Sequence, residues 1–125
     1  MAVSGIGHYD FDNIFAKILR GDIPCKKVFE DDMVLAFHDI SPKAPVHVLV
    51  IPKGPYISFA DFSQRASDRE IVAFNRAVGD IAREFDLDAP GYRLIGNVGE
   101  NAGQEVPHFH VHLLGGRPLG PMLAE

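Results

Sequence analysis

Apolar and polar positions along this chain change period several times, and each change predicts an element. Ile14, Phe15, Ile18 and Leu19 recur at the steps of one helical face. Asp12 or Asn13 is placed to cap that face and Gly21 to stop it, so a short helix is expected over Asp12–Arg20. Lys27–Glu30 and Val34–His38 read as two short strands parted by the turn-forming Glu30-Asp31-Asp32. Ser41–Pro45, with two prolines, reads as a loop, and Val46–Ile51 as a third strand closed by Pro52. Ser67-Asp68-Arg69-Glu70 has the form of a capping box. Behind it Ile71, Phe74, Val78, Ile81 and Phe85 make the buried stripe of a long helix, ended by Asp88–Gly91. Tyr92–Asn97 and Phe109–Leu114 read as a fourth and a fifth strand. The pattern predicts an α+β fold, an antiparallel five-stranded sheet with one long and one short helix.

Bulk properties narrow the possible functions. A chain of 125 residues fits one domain spanning 1–125, with no linker or repeat to divide it. A formal net charge of −5 and the lack of a basic stripe argue against binding nucleic acid through its phosphates. No apolar run approaches the length of a membrane span, and Met1–His8 lacks the charged start and apolar stretch of a signal peptide. A lone Cys25 forms no internal disulfide and no thiolate cluster, and reads as a passive residue. These features make the cytoplasm the expected location, with no membrane and no nucleic acid as partners. His8 is expected in a disordered N-terminal segment, His38 in a structural or solvent role, and Tyr9, Tyr56 and Tyr92 carry no readable chemistry.

The chemistry concentrates near the C-terminus, in His108-Phe109-His110-Val111-His112-Leu113-Leu114. In extended backbone successive side chains alternate faces, so the three imidazoles project to one side, roughly 6.6 Å apart at a rise of about 3.3 Å per residue. Such a row serves a metal or a phosphate equally well. The preceding stretch, Gly96 to Glu105, favours phosphate. Its glycines at 99 and 103 permit backbone N–H groups to approach an anion, and Asn97 and Gln104 add amide donors. The loop has neither the Walker A ending nor dinucleotide-fold spacing. His110, flanked by donors, is placed to attack phosphorus if a backbone carbonyl, from His108 or a neighbour, holds its other nitrogen as N–H. His112 then serves as an oxyanion donor. His47 reaches the same place only if the third strand pairs near the fifth. Asp39 suits a ribose diol or a turn equally. Ile14, Phe15, Ile18, Phe37 and Ile40 could wall a slot for a base, although such residues more often form plain core.

Assembled, these residues resemble the histidine triad (HIT) family, whose signature alternates three histidines with apolar residues. The closer likeness is to its HINT branch of purine nucleoside phosphoramidases. It is carried by Leu114-Gly115-Gly116-Arg117, Phe29-Glu30-Asp31-Asp32, Ala36–Pro42 and Leu49–Lys53, and runs from about residue 12 to 117. The resemblance implies a homodimer whose sheets join across the interface. It also implies hydrolysis of the P–N bond in adenosine or guanosine 5′-monophosphoramidates, with purine nucleoside monophosphates as ligands and no cofactor or metal. By matching position His110 is the nucleophile, and His112 and Asn97 bind phosphate beside Gly103 and Gln104. His47 and His108 complete the site, Asp39 holds the ribose, and Ile14, Phe15, Ile18, Phe37 and Ile40 hold the base. Glu105 stands where many relatives have serine, next to the reacting phosphate. Pro107 departs from a frequent aromatic or aliphatic residue. Asn13 and Ala16 replace a Cys-x-x-Cys that holds zinc in some relatives, and the tail after Arg117 lacks the tryptophan of animal members. Two alternatives stay open within the resemblance: a dinucleoside polyphosphate hydrolase, and a non-catalytic nucleotide-binding protein.

Overall fold

Alternation along the central strands separates a packing face from a chemical face. In the computed structural model, which describes residues 3–124, five antiparallel strands form one sheet. They are β1 (Lys27–Glu30), β2 (Val34–His38), β3 (Val46–Pro52), β4 (Tyr92–Ile95) and β5 (Val111–Gly115), in spatial order β1-β2-β3-β5-β4. Met1, Ala2 and Glu125, the ends of the expected 1–125 span, lie outside the described residues. On one face Val34, Ala36, Val48, Val50 and Leu113 pack under a long helix through its Phe74, Ala77, Val78 and Ile81. On the other, Leu35, Phe37, Leu49 and Ile51 pack with Phe15. Burying both faces explains why β2 and β3 are near-continuous apolar runs.

Three helices flank the sheet, α1 (Ile14–Leu19), α2 (Phe59–Arg65) and α3 (Asp68–Glu84). Asn13 caps α1, its Oδ1 accepting from the N–H groups of Phe15 and Ala16, both at 2.9 Å. The expected capping box of α3 is formed by Ser67 and Glu70. The short helix α2 was absent from the sequence expectation. Phe59–Arg65 buries only Phe62, so it carries no apolar stripe to read. Its signals were local: Ser58 at the N-cap position and Asp61, whose carboxylate accepts from Ile57 N–H at 2.8 Å.

Two strand boundaries also differ from expectation. β4 stops at Ile95, and β5 begins at Val111, leaving His108, Phe109 and His110 ahead of the ladder. The cause is a competing set of partners: Phe109 N–H donates to Tyr56 O at 2.7 Å, so the connector after β3 holds this segment. Residues 3–9 likewise correct the expectation of disorder around His8, because Val3 N–H donates to Gln104 O at 2.8 Å and Ser58 Oγ to Gly5 O at 2.7 Å. Among the described residues no helix is long and apolar enough to cross a membrane.

Candidate active site

β3 pairs directly with β5, Leu49 opposite His112 and His47 opposite Leu114, which meets the condition for His47 to join the row. Each imidazole then has a tautomer dictated by its neighbours. Lys43 N–H donates to His47 Nδ1 at 3.0 Å, so His47 carries its proton on Nε2. That Nε2 lies 2.9 Å from His112 Nδ1, which must accept, leaving His112 Nε2 as an N–H donor. His108 Nε2 faces the Pro52 carbonyl at 2.8 Å and His110 Nδ1 faces the His108 carbonyl at 2.7 Å. A carbonyl only accepts, so both nitrogens are N–H. His110 Nε2 therefore keeps its lone pair, on a ring whose centroid is 5.1 Å from that of His112. A nucleophilic nitrogen and an N–H donor stand side by side.

Burial keeps these rings neutral. Desolvation pushes the pKa of His110 below the usual histidine value, against the opposing pull of the His108 carbonyl and of the Asp39 and Glu105 charges. His108 and His112 are both pushed down to about 4, chiefly by burial, and His47 is lowered for the same reason. At neutral pH the lone pair of His110 is available without prior deprotonation.

Asp39 divides its carboxylate between two tasks. Oδ1 accepts from Ser41 N–H at 2.8 Å in a turn, and Oδ2 lies 3.4 Å from His47 Nε2. The turn reading thus holds for Oδ1, while Oδ2 faces the His47 ring. Asp39, His47 and His112 also present ligand atoms within 4.8 Å of one another. The His47 and His112 nitrogens nearest each other already share a hydrogen bond, which a cation would have to break.

The glycine-rich loop differs from expectation in how it uses its donors. Gly99 and Gly103 adopt positive φ, 76° and 72°, around a single 3₁₀ turn over Glu100–Ala102. Their N–H groups are engaged within the loop, Gly99 with Gln104 Oε1 at 2.9 Å and Gly103 with Glu100 O at 3.0 Å. Gln104 N–H goes to Gly99 O at 3.1 Å. The Gln104 side chain is buried, donating to Ile57 O at 2.7 Å and to Val106 O at 3.1 Å. The backbone N–H groups of Gly103 and Gln104 therefore close the loop on itself. Glu105, next in the chain, is exposed, and Asn97 is half-buried.

The proposed base slot separates into two kinds of residue. Phe15 and Phe37 are buried core, ring centroids 5.6 Å apart, and Phe15 also packs edge-on against His110 at 5.0 Å. Ile18 is half-buried. Ile14 and Ile40 are 45 % and 94 % exposed, apolar surface with no packing duty in the described chain. His38 is exposed, beside Phe85, and away from the site. The residue that sequence reasoning missed is Tyr9, whose hydroxyl lies 2.5 Å from His108 Nδ1. A lone tyrosine ahead of the first helix carries no pattern that could have flagged it.

An antiparallel sheet with four imidazoles gathered at β3, β5 and the segment ahead of β5, one with a free lone pair, defines an α+β domain with a candidate active site. The chain belongs to the HIT domain family, whose model matches residues 20–119. It is 57 % identical over 117 residues to an uncharacterised 13.2 kDa HIT-like protein of Azospirillum brasilense, covering 94 % of this chain and 96 % of that one. It is 47 % identical over 116 residues to the purine nucleoside phosphoramidase of Escherichia coli, covering 90 % and 94 %. A histidine triad protein from Clostridium difficile superposes with a TM-score of 0.80 at 42 % identity, covering 93 % of this chain and all of the other, 100 %. A HIT family hydrolase from Clostridium thermocellum gives a TM-score of 0.79 at 36 % identity over 90 % and 97 %.

Proposed function

We propose that this protein hydrolyses the P–N bond of adenosine or guanosine 5′-monophosphoramidates through a nucleotidyl group on His110. One observation carries the reading: the His108 carbonyl holds Nδ1–H at 2.7 Å and leaves Nε2 free on a neutral ring. Nε2 attacks phosphorus, the P–N bond breaks, and the nitrogen departs as an amine with a proton from solvent. Water then attacks the phosphorus of the nucleotidyl-histidine, its proton returns to solvent, and the nucleoside monophosphate leaves with Nε2 restored. His112 Nε2–H is the donor beside the reacting oxygens, oriented through His47 by the Lys43 N–H. Asp39 Oδ2 takes the ribose, and Ile14 and Ile40 supply apolar cover for the base above Phe15. The phosphoramidase activity of the Escherichia coli relative supports the substrate class.

The decisive experiment is intact-protein mass spectrometry after mixing with an adenosine 5′-phosphoramidate, beside His110→Asn. A transient nucleotidyl adduct and AMP release on the native chain alone is the expected result. AMP release without an adduct would remove the covalent mechanism, and binding without turnover would leave a nucleotide-binding protein.

A further inference from the structure

The N-terminal segment reaches further into the site than the family match, which begins at residue 20. Val3 and Gly5 fasten it to the glycine-rich loop and to Ser58, and Gly5 sits so close that a Cβ there would meet Val98 Cγ1 at 2.8 Å. This strap delivers Tyr9, whose ring stands edge-on to Phe11 at 4.8 Å and to His108 at 5.6 Å. His108 is completely buried, and each ring nitrogen has one partner, Pro52 O and Tyr9 Oη. The Pro52 carbonyl requires Nε2–H, so Nδ1 is a lone pair and the phenol must donate to it. Among the described residues no other group is bonded to Nδ1. The carbonyl of this same residue accepts from His110 Nδ1.

We propose that Tyr9 is a positioning residue: its phenol pins the His108 ring, and with it the carbonyl that holds His110 ready to attack. The proposal rests on the reading of His110 as nucleophile. Burial raises the Tyr9 pKa, which keeps the phenol protonated and donating. The strap thereby couples an element outside the matched family region to the reacting nitrogen, through two contacts. Loss of the hydroxyl leaves a buried acceptor without a donor, and residue 108 then relaxes around its remaining bond to Pro52.

The test compares Tyr9→Phe with Ser58→Ala in the full chain, the latter loosening the strap at Gly5 while sparing the phenol. Turnover of an adenosine 5′-phosphoramidate and ¹⁵N NMR of the histidine ring nitrogens are the two readouts. Tyr9→Phe is expected to lower kcat about tenfold with KM changed less than about twofold, the mark of lost orientation instead of lost binding. Its His108 Nδ1 resonance moves further than in Ser58→Ala, which loosens the strap but keeps the phenol. Unchanged kcat, or an unmoved resonance, in Tyr9→Phe overturns the proposal. A native chain that never turns over the phosphoramidate refutes the proposed function instead, and the resonance alone then decides Tyr9. If Tyr9→Phe does not fold, fluorotyrosine in the native chain, a stronger donor, must move the same resonance.

Discussion

His110 owes its readiness to two things that no single residue supplies, a carbonyl on one nitrogen and a dry surrounding for the ring. Both act on protonation, so pH separates them from packing. Rings buried neutral in the folded chain gain protons more easily when it unfolds, so the unfolded state binds more protons between the lowered and the ordinary pKa. The sign follows: stability falls as pH drops from about 6.5 toward 4, by about 1.4 kcal/mol per group for each pKa unit of difference. Turnover falls on the same side, because protonated His110 has no lone pair, with an apparent pKa below the ordinary histidine value. Thermal unfolding and kcat/KM followed from pH 8 to 4 check both. His112→Gln should flatten the stability slope, since it removes one of the titrating rings.

At the scale of elements, the site hangs on the connector between β3 and α2 as much as on strands. Tyr56 O receives Phe109 N–H, Ile57 O receives the Gln104 amide, and Ser58 Oγ reaches Gly5. This run of consecutive residues ties together the histidine segment, the glycine-rich loop and the N-terminal strap. Gln104 is the joint with most at stake, buried and bonded to Gly99, Ile57 and Val106. Gln104→Ala strands those groups, and a buried unsatisfied partner costs about 1–3 kcal/mol. The expected outcome is a lower Tm with a larger loss in activity than in stability, because the loop slackens beside His110; denaturant melts and steady-state kinetics measure the two.

Over the whole molecule, β4 is one of the two strands at the edges of the sheet, β1 being the other. Its outer edge has no partner strand among the described residues, and an exposed edge invites pairing. Beside it a groove of about 260 Å³ is lined by Phe59, Phe74, Val78, Leu94, Val98 and Val111, with Phe59, Leu94 and Val98 exposed. We propose that a homodimer with sheets joined across the interface, the arrangement the family resemblance implies, covers both features at once. Leu94→Glu should convert a dimer of the native chain into a monomer by light scattering, while a native monomer in that measurement would remove the dimer from the picture.

Much of this architecture was legible in the pattern of residues. The buried stripe and capping box of α3 and the five strands follow from periods of 3.6 and 2, which are local properties of backbone geometry. A cap at Asp12 or Asn13 was legible for the same reason, and Asn13 is the one that serves. His108 and His110, by contrast, lie ahead of β5 and owe their placement to partners outside it. What the sequence left open were partnerships: that Gln104 braces the loop, that Asp39 serves a turn and the His47 ring with different oxygens, and that Lys43 N–H sets a tautomer on His112 through His47. Tyr9 makes the point most sharply, 99 positions from the imidazole it touches. The sequence by itself determined which residue types and which faces were available. Only the tertiary structure decided which donor meets which acceptor, because a hydrogen bond between distant segments depends on their approach in space and leaves no period in the chain.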